Sequence, residues 1–245
     1  MKRLTNDRRL SPAPSELLVH DSLTTCPYLP GQVARLPMRL PVRGLRPAEF
    51  SERLAGGDRR QGLLLYRPAC PMCRACIAVR LDVEEFVPNR TQRRILKRDQ
   101  AVIDTRIGPP RLSRDRVELY NRHKIERGLL TNDGLIRAED YEEFLIDSCA
   151  ETFELAYYVD NRLIGVAIVD RAADALSAVY CYFDPAQAKL SPGTYSILRQ
   201  VELCRRWGLR YLYLGLYVAG CDALAYKINF HPHERLIDGR WCKFD

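Results

Sequence analysis

The sequence lacks long apolar runs, a secretory leader and any ordered catalytic pattern of histidines. Its 245 residues contain no stretch approaching the roughly 18 consecutive apolar residues that a membrane-spanning helix needs. The segment from Met1 to His20 mixes charges with prolines and has no apolar core of a signal peptide. The four histidines form no triad pattern with serine or cysteine. We therefore expect a cytoplasmic protein without membrane contact.

Cysteine, in contrast, is abundant. The nine cysteines are odd in number, and without an export signal they argue against a disulfide framework. Cys70, Cys73 and Cys76 form a CxxCxxC run, and Cys26 lies upstream. Thiolates at this spacing can bind one zinc ion or one iron–sulfur cluster, both of which favour four ligands. The alternative is a set of small buried apolar residues without metal. Spacing alone leaves both open.

The positive charge of the chain lies in its first half. Residues 1–110 hold 20 Lys and Arg against 11 Asp and Glu, a net charge of +9, whereas residues 111–245 hold 18 against 20, a net charge of −2. Arginine far outnumbers lysine, a bias that phosphate binding or a GC-rich genome explains equally well. The uneven distribution makes the first half the candidate for a polyanionic partner.

The strongest basic segment is residues 89–99. On a helix, Arg90, Arg94, Lys97 and Arg98 share one face because they are three or four positions apart, and Arg93 lies beside them. Such a face can follow an RNA backbone and contact phosphates rather than bases. The alternative is a solvated charged surface. Together with the charge asymmetry, the segment predicts RNA binding by these five residues.

Composition divides the chain into three parts. Residues 1–25 are predicted to be a flexible N-terminal arm, and residues 26–108 a small, basic domain that carries the cysteine run. Gly108-Pro109-Pro110 breaks the chain and is the candidate linker. Residues 111–245 form the second predicted domain.

The second domain has clearer periodicity, and the whole chain is predicted to be α+β. The predicted elements are helices 113–127 and 138–149, a hairpin of strands 153–159 and 163–170, strand 176–183, helix 192–207 and strand 211–216. This order is that of an acyltransferase fold related to the N-acetyltransferases (GNAT-type). The glycine-rich pyrophosphate loop of those enzymes is missing, since residues 189–194 contain a single glycine, so coenzyme A is not expected.

Five residues are candidate catalytic groups because they lie near predicted strand ends or at the following helix start. They are Asp170, Tyr180, Asp184, Tyr195 and Tyr217. The helix N-terminus after residue 191 can hold a phosphate or a developing oxyanion. Each residue taken alone is equally explained as a core tyrosine or a turn aspartate.

Several segments in order resemble the bacterial aspartate/glutamate leucyltransferases, of the arginyl-tRNA–protein transferase family. They are Cys26-Pro-Tyr-Leu-Pro-Gly31, Tyr66-Arg-Pro, the CxxCxxC run, Pro88-Asn-Arg-Thr-Gln-Arg-Arg94, Leu176-Ser-Ala-Val-Tyr180, Phe183-Asp-Pro185, Gly193-Thr-Tyr-Ser-Ile-Leu198, Tyr211-Leu-Tyr-Leu-Gly215, Gly220-Cys221, Ala225-Tyr-Lys227, Phe230 and Asp238-Gly-Arg-Trp241. The ordered set covers residues 26–241 and is far more specific than any one segment.

The resemblance implies a reaction and its partners. An aminoacyl-tRNA donates leucine, or arginine, to the N-terminal amine of a protein that begins with Asp or Glu, which marks that protein for degradation. The ester is already activated, so no cofactor is required for the chemistry. Substrate-binding candidates within the matched segments are Arg67, Ser177 and Lys227. The resemblance also implies an iron–sulfur cluster at the four N-terminal cysteines, whose spacing allows zinc as well, and the protein is expected to be a monomer.

Two alternatives stay open at this point. A coenzyme-A-dependent N-acetyltransferase shares the fold of the second half but leaves the basic first half unexplained. A non-catalytic zinc or iron–sulfur module that binds RNA explains the first half but gives the second half no role.

Overall fold

The structure is a computed structural model that describes residues 14–130 and 134–245. Its strands are β1 (Glu16–His20), β2 (Leu23–Thr25), β3 (Val33–Arg35), β4 (Met38–Pro41), β5 (Arg59–Gln61), β6 (Leu64–Tyr66), β7 (Ile77–Asp82), β8 (Asp104–Gly108), β9 (Glu151–Val159), β10 (Arg162–Arg171), β11 (Ala175–Phe183), β12 (Tyr211–Tyr217), β13 (His233–Ile237) and β14 (Arg240–Phe244). Its α-helices are α1 (Pro47–Ala55), α2 (Arg90–Asp99), α3 (Arg114–Glu126), α4 (Ala138–Tyr141), α5 (Pro192–Arg206) and α6 (Asp222–Ala225).

One large mixed sheet organises the fold. Its strand order is β14-β13-β7-β12-β11-β10-β9-β8. The pairs within it are antiparallel except β11 with β12, which are parallel and connected through α5. A four-stranded sheet, β1-β4-β6-β5, and the β2-β3 hairpin are built from the first 66 residues. The architecture is therefore mixed α/β with a dominant sheet.

Both faces of the large sheet are covered, as β10 illustrates. Ala167 and Val169 pack into the cluster that contains α5, whereas Val166 and Ile168 pack against α3. Successive side chains on a strand point to opposite faces, so a strand buried on both faces needs an uninterrupted apolar run. The sequence of β10 supplies one, and the core therefore lies on both sides of the sheet.

The predicted elements of the second half are observed with small shifts of their ends. Helix α3 begins after Ser113 and α5 begins at Pro192, as the helix-start signals indicated. The helix predicted over 138–149 is shorter. It runs as α4 into a π-helical turn that ends at Ile146, because the backbone of Asp147 is extended.

The N-terminal predictions have a mixed outcome. Residues 1–13 of the predicted arm lie outside the described residues, and residues 16–25 contain β1 and β2. Strands β7 and β8, which precede the predicted linker, belong to the same sheet as the strands that follow it. The boundary near residue 110 stays a prediction.

Across residues 14–130 and 134–245, no helix combines the length and the apolar character that crossing a bilayer would need.

Candidate functional site

The candidate site begins where the two parallel strands of the large sheet separate. Strands β11 and β12 pair only from Ala175 with Tyr211 to Ser177 with Tyr213. Beyond this point each strand continues along its outer neighbour, β11 beside β10 up to Phe183 and β12 beside β7 up to Tyr217. The two strands therefore open a gap in the sheet, in which main-chain groups are free to bind other partners. We call this gap the strand split.

The side chain of Arg59, from β5, reaches β11 at the strand split. Its Nη1 donates to Ser177 Oγ at 3.3 Å, and its Nη2 donates to the main-chain oxygen of Ala178 at 3.2 Å. The residue is 8% exposed. A buried arginine thus takes the place of a neighbouring strand along the first open residues of β11.

Lys227 approaches the strand split from the side of β12. Its Nζ donates to the main-chain oxygen of Leu216 at 2.7 Å, and the residue is also 8% exposed. Both cations crowd Gly215, whose φ of +91° is one that glycine adopts without strain. A Cβ at this position would lie 2.9 Å from Arg59 Nη2 and 3.3 Å from Lys227 Nζ, so the two nitrogens are at most about 6 Å apart. Glycine is required here for space as well as for conformation.

No carboxylate neutralises this pair within the described part of the chain. The hydrogen bonds of Arg59 and Lys227 go to neutral oxygens. Burial, and next the charge of Arg59, lower the pKa of Lys227 to about 7, while Cys221 acts in the opposite direction. Buried charges are normally paired. The strand split therefore has the electrostatics of a site for an anionic group.

Tyrosine side chains lie along β11 beyond the paired segment. The ring of Tyr180 packs 5.6 Å from that of Tyr120 and 5.6 Å from that of Phe144, between centroids. Burial, and next the neighbouring Tyr120, raise the pKa of Tyr180, so its hydroxyl is protonated at neutral pH. Tyr180 can donate a hydrogen bond but cannot serve as an anionic base.

Two of the predicted catalytic residues lie in the protein interior with their polar atoms engaged. Asp170 accepts from Arg60 Nε at 2.7 Å and from Thr152 Oγ1 at 2.6 Å, and its side chain has no exposed surface. The Tyr195 hydroxyl lies 3.2 Å from Thr105 Oγ1, and the residue is 1% exposed. These contacts help to stabilise the fold, and the catalytic roles of both residues stay predictions.

Asp184 and Tyr217 lie at the ends of the two separating strands. Asp184 follows β11, caps the next turn by accepting from Ala186 N at 3.1 Å, and pairs with Arg122 at 3.3 Å and Arg162 at 2.9 Å. Tyr217 ends β12, and the guanidinium of Arg235 stands 5.0 Å from its ring centroid. Of the two, Tyr217 is on a strand that borders the split.

The three predicted substrate-binding residues separate into two places. Ser177 and Lys227 both lie at the strand split, linked through Arg59 and Gly215. Arg67 instead binds Asp58, with Nε and Oδ1 3.1 Å apart. The structure therefore brings together two of the three.

Arg59 was missed by the sequence reasoning. It belongs to a three-residue strand and contacts residues about 118 positions away in the sequence. The available signal is weak: two adjacent arginines stand between glycines, in Gly57-Asp-Arg-Arg-Gln-Gly62. Nothing local distinguishes that pair from an exposed basic turn.

The four N-terminal cysteines lie near one another and near a fifth, Cys221. All are free thiols. Burial, followed by the neighbouring thiols of Cys26, Cys70, Cys73 and Cys221, raises the pKa of Cys76 to about 11. In the part of the chain that the structure describes, however, no group of three or more His, Cys, Asp or Glu residues is placed to hold a metal ion. The predicted metal site is therefore not confirmed.

The basic segment is helix α2, as predicted. Asn89 caps it by accepting from Gln92 N at 2.9 Å, and Gln92, Ile95 and Asp99 form its buried face. The five predicted tRNA-binding residues are all exposed: Arg90, Arg93, Arg94, Lys97 and Arg98. Gln92 Nε2 donates to Asn229 O at 3.1 Å, which joins the helix to the segment that carries Lys227. The buried face of α2 thus contacts the segment that carries Lys227, while its basic face stays exposed.

Two family models match the chain. The one described as arginine-tRNA-protein transferase, N terminus, matches residues 24–94, and the one described as arginine-tRNA-protein transferase, C terminus, matches residues 115–237. Together they cover both the cysteine-containing segment and the strand split.

Two relatives of this chain match it over nearly the full length of both proteins. The aspartate/glutamate leucyltransferase of Chromobacterium violaceum is 38% identical over 219 residues, which is 88% of this chain and 89% of that protein. The protein of the same name from Aeromonas hydrophila is 39% identical over 225 residues, 90% of this chain and 92% of that protein. Among solved structures, L-PGS from Bacillus licheniformis matches with a TM-score of 0.46 and 12% identity, over 64% of this chain and 51% of that chain.

Proposed function

Because the chain belongs to the arginine-tRNA-protein transferase family, we propose that it transfers an amino acid from a charged tRNA to the N-terminal amine of a protein. The acceptors begin with Asp or Glu, and leucine is the favoured residue, as the names of the relatives indicate. Arginine is the alternative donor residue. The observation that carries the proposal is the match of both family models in order along one chain.

The proposed reaction is an aminolysis. The acceptor amine loses a proton and attacks the ester carbonyl, a C–N bond forms, and the C–O bond to the tRNA ribose breaks. The ribose hydroxyl leaves with a proton. An activated ester needs positioning of the two substrates and stabilisation of the oxyanion, and no covalent enzyme intermediate.

Tyr180 is the residue that we assign to the oxyanion. It lies on β11 past the last residue that pairs with β12, and burial together with the neighbouring Tyr120 raises its pKa, which keeps the hydroxyl protonated. Replacing Tyr180 with phenylalanine should lower kcat roughly a hundredfold with little change in KM. Tyr158→Phe, on β9, is the matched control. Catalytic roles for Asp170, Asp184, Tyr195 and Tyr217 stay predictions.

Helix α2 is proposed to bind the tRNA backbone through its five exposed cations. The support is their common exposure and the hydrogen bond between Gln92 and Asn229, which places the helix beside the segment that carries Lys227. The predicted monomeric state and cytoplasmic location belong to the same proposal. Light scattering of the purified protein tests the first of these.

The four N-terminal cysteines are proposed to bind zinc or an iron–sulfur cluster. The donor chemistry supports this, because main-chain N–H groups point at three of the sulfurs: Tyr28 and Leu29 at Cys26, Arg35 at Cys70 and Ala75 at Cys73. Such donors favour thiolates. The group would cross-link loops near the split, and no step of the reaction depends on it. Metal analysis should find zinc or iron, and a metal-free, fully active preparation contradicts the proposal.

A transfer assay tests the function. Purified protein is mixed with labelled leucyl-tRNA or arginyl-tRNA and with peptides that begin with Asp, Glu or Ala. Transfer to the acidic peptides and not to the Ala peptide is the expected result. Acetylation of the peptides with acetyl-coenzyme A, or tRNA binding without transfer, would overturn it.

We also propose an N-acetyltransferase-like fold for residues 111–245. The observed order of helix, hairpin, strand, helix and parallel strand supports it. The turn around the start of α5, residues 189–194, contains a single glycine, so it lacks the glycine-rich loop that binds the pyrophosphate of coenzyme A.

A further inference from the structure

Two buried cations, Arg59 and Lys227, occupy the strand split, and neither pairs with a carboxylate of residues 14–130 or 134–245. We propose that Arg59 and Lys227 together bind the side-chain carboxylate of the acceptor's first residue, and that this pair sets the selectivity for Asp and Glu. The inference rests on the proposed function and adds the residues that read the acceptor.

The charges at the strand split favour an anionic ligand. Arg59 and Lys227 are each 8% exposed, their nitrogens lie within about 6 Å of each other, and no carboxylate of the described chain pairs with them. Two neighbouring desolvated cations repel each other, and a bound carboxylate relieves both costs. The site is therefore complementary to an anion that arrives from outside the chain.

Arg59, Ser177 and Lys227 also keep hydrogen-bond donors that are free to bind a ligand. The contacts of Arg59 to Ser177 and Ala178 are long, at 3.3 and 3.2 Å, and they use two of the five guanidinium hydrogens. Ser177 accepts from Arg59, which leaves its own hydroxyl hydrogen to donate. Lys227 has two further hydrogens besides the one given to Leu216. Arg59, Lys227 and Ser177 together can satisfy both oxygens of a carboxylate.

The enclosure of the two cations favours a side-chain carboxylate over a tRNA phosphate as the ligand. Both cations are nearly enclosed, and even a Cβ added at Gly215 would crowd them, at 2.9 Å from Arg59 Nη2 and 3.3 Å from Lys227 Nζ. A slender carboxylate suits such a place better than a nucleic-acid backbone, for which the exposed cations of α2 are available. Phosphate binding at the strand split is the competing outcome of the experiment.

Selectivity for Asp over Asn, and for Glu over Gln, follows because a neutral side chain would leave the two buried cations without a counter-charge. An acceptor that begins with Asn or Gln has nearly the same shape but leaves both cations without a counter-charge. Removing one partner of a buried charged interaction costs enough to change binding or kcat/KM by about a hundredfold. We expect Asp over Asn, and Glu over Gln, by at least that factor in the wild-type protein.

The experiment measures kcat/KM for peptides that begin with Asp, Asn, Glu and Gln, at saturating charged tRNA, together with the KM for charged tRNA. The variants are Arg59→Gln, Lys227→Gln and the charge-retaining Arg59→Lys. Arg205→Gln is the matched control, because Arg205 also donates to main-chain oxygens, those of Val83 and Phe86, but lies outside the site.

The expected result is that Arg59→Gln and Lys227→Gln lower the Asp-to-Asn ratio about a hundredfold, mainly through the Asp peptide, and leave the KM for charged tRNA unchanged. Arg59→Lys should restore part of the ratio, and Arg205→Gln should keep the wild-type ratio. An unchanged ratio in both glutamine variants, or a raised KM for charged tRNA with the ratio preserved, overturns the inference.

A binding measurement keeps the inference separate from the proposed function. Calorimetry with the Asp and Asn peptides and the wild-type protein needs no tRNA, and it should show binding of the Asp peptide alone, abolished by Arg59→Gln. If either glutamine variant fails to fold, Arg59→Lys and the wild-type titrations still decide. Selective binding without transfer refutes the proposed reaction and upholds the site, whereas equal binding of both peptides refutes the site.

Discussion

Replacing Lys227 with methionine should make the protein more stable while impairing its reaction. The side chain is 8% exposed, and the charged form is disfavoured by burial and by Arg59, which lowers the pKa from 10.5 to about 7. At about 1.4 kcal/mol for each factor of ten, keeping this lysine in the fold at neutral pH costs roughly 4 kcal/mol. Methionine has similar length and no charge. The substitution leaves Leu216 O without its donor, which costs about 1–3 kcal/mol.

The net gain in the free energy of unfolding is therefore about 1–3 kcal/mol. For a chain of this length, each kcal/mol raises Tm by about 2–4 °C. The pH dependence provides a sharper measurement. Between pH 7 and 10.5 the unfolded chain keeps a proton on Lys227 that the folded chain has lost, so raising the pH through this window favours the folded wild-type protein.

Chemical denaturation of both proteins, at pH values from below 7 up to 9, tests this reasoning. Stability of the wild type relative to Lys227→Met should rise by about 1.4 kcal/mol per pH unit, and the difference should be flat below pH 7. The groups that face the ammonium, Arg59 and Cys221, remain in both proteins. A variant that is less stable than the wild type at pH 7, with the same pH dependence, would refute the view that this lysine is held at a cost to stability.

Three further predictions follow from other parts of the structure. Replacing Arg93 and Arg94 with glutamate should weaken tRNA binding and lower the slope of log Kd against log salt concentration by up to about 2. The exposed Arg114→Glu is the control, and an unchanged Kd of the double variant would show that α2 does not contact tRNA. Asp170→Asn should lower the free energy of unfolding by about 3–5 kcal/mol, because it breaks a buried ion pair, and equal stability with lost activity would instead support catalysis. Burial lowers the pKa of His123 to about 4, so between pH 6.5 and 4 the unfolded chain binds a proton that the folded chain does not. The free energy of unfolding should therefore fall by about 3 kcal/mol as the pH is lowered through this window, and denaturation curves of His123→Gln should lack that dependence.

The sequence by itself determined the local elements of the second half. Ser113 marks the start of α3, Pro192 is the first residue of α5, and Asp160 with Asn161 forms the tight turn between β9 and β10, both with positive φ. Each signal depends on neighbours a few positions away, so it can be read without the fold. The same holds for the ordered motifs that place the chain in its family.

What the sequence could not decide was which charges would meet. Asp170 was predicted to be a catalytic carboxylate at a strand end, but its buried ion pair with Arg60, 110 positions away, could not be read from the sequence. Lys227 resembles any lysine near a short helix, and only the fold buries it beside Arg59 and the bare backbone of Gly215. The role of a charged group depends on burial and on partners distant in sequence. Tertiary structure therefore decided which cations are neutralised and which, at the strand split, pair with no carboxylate of the described part of the chain.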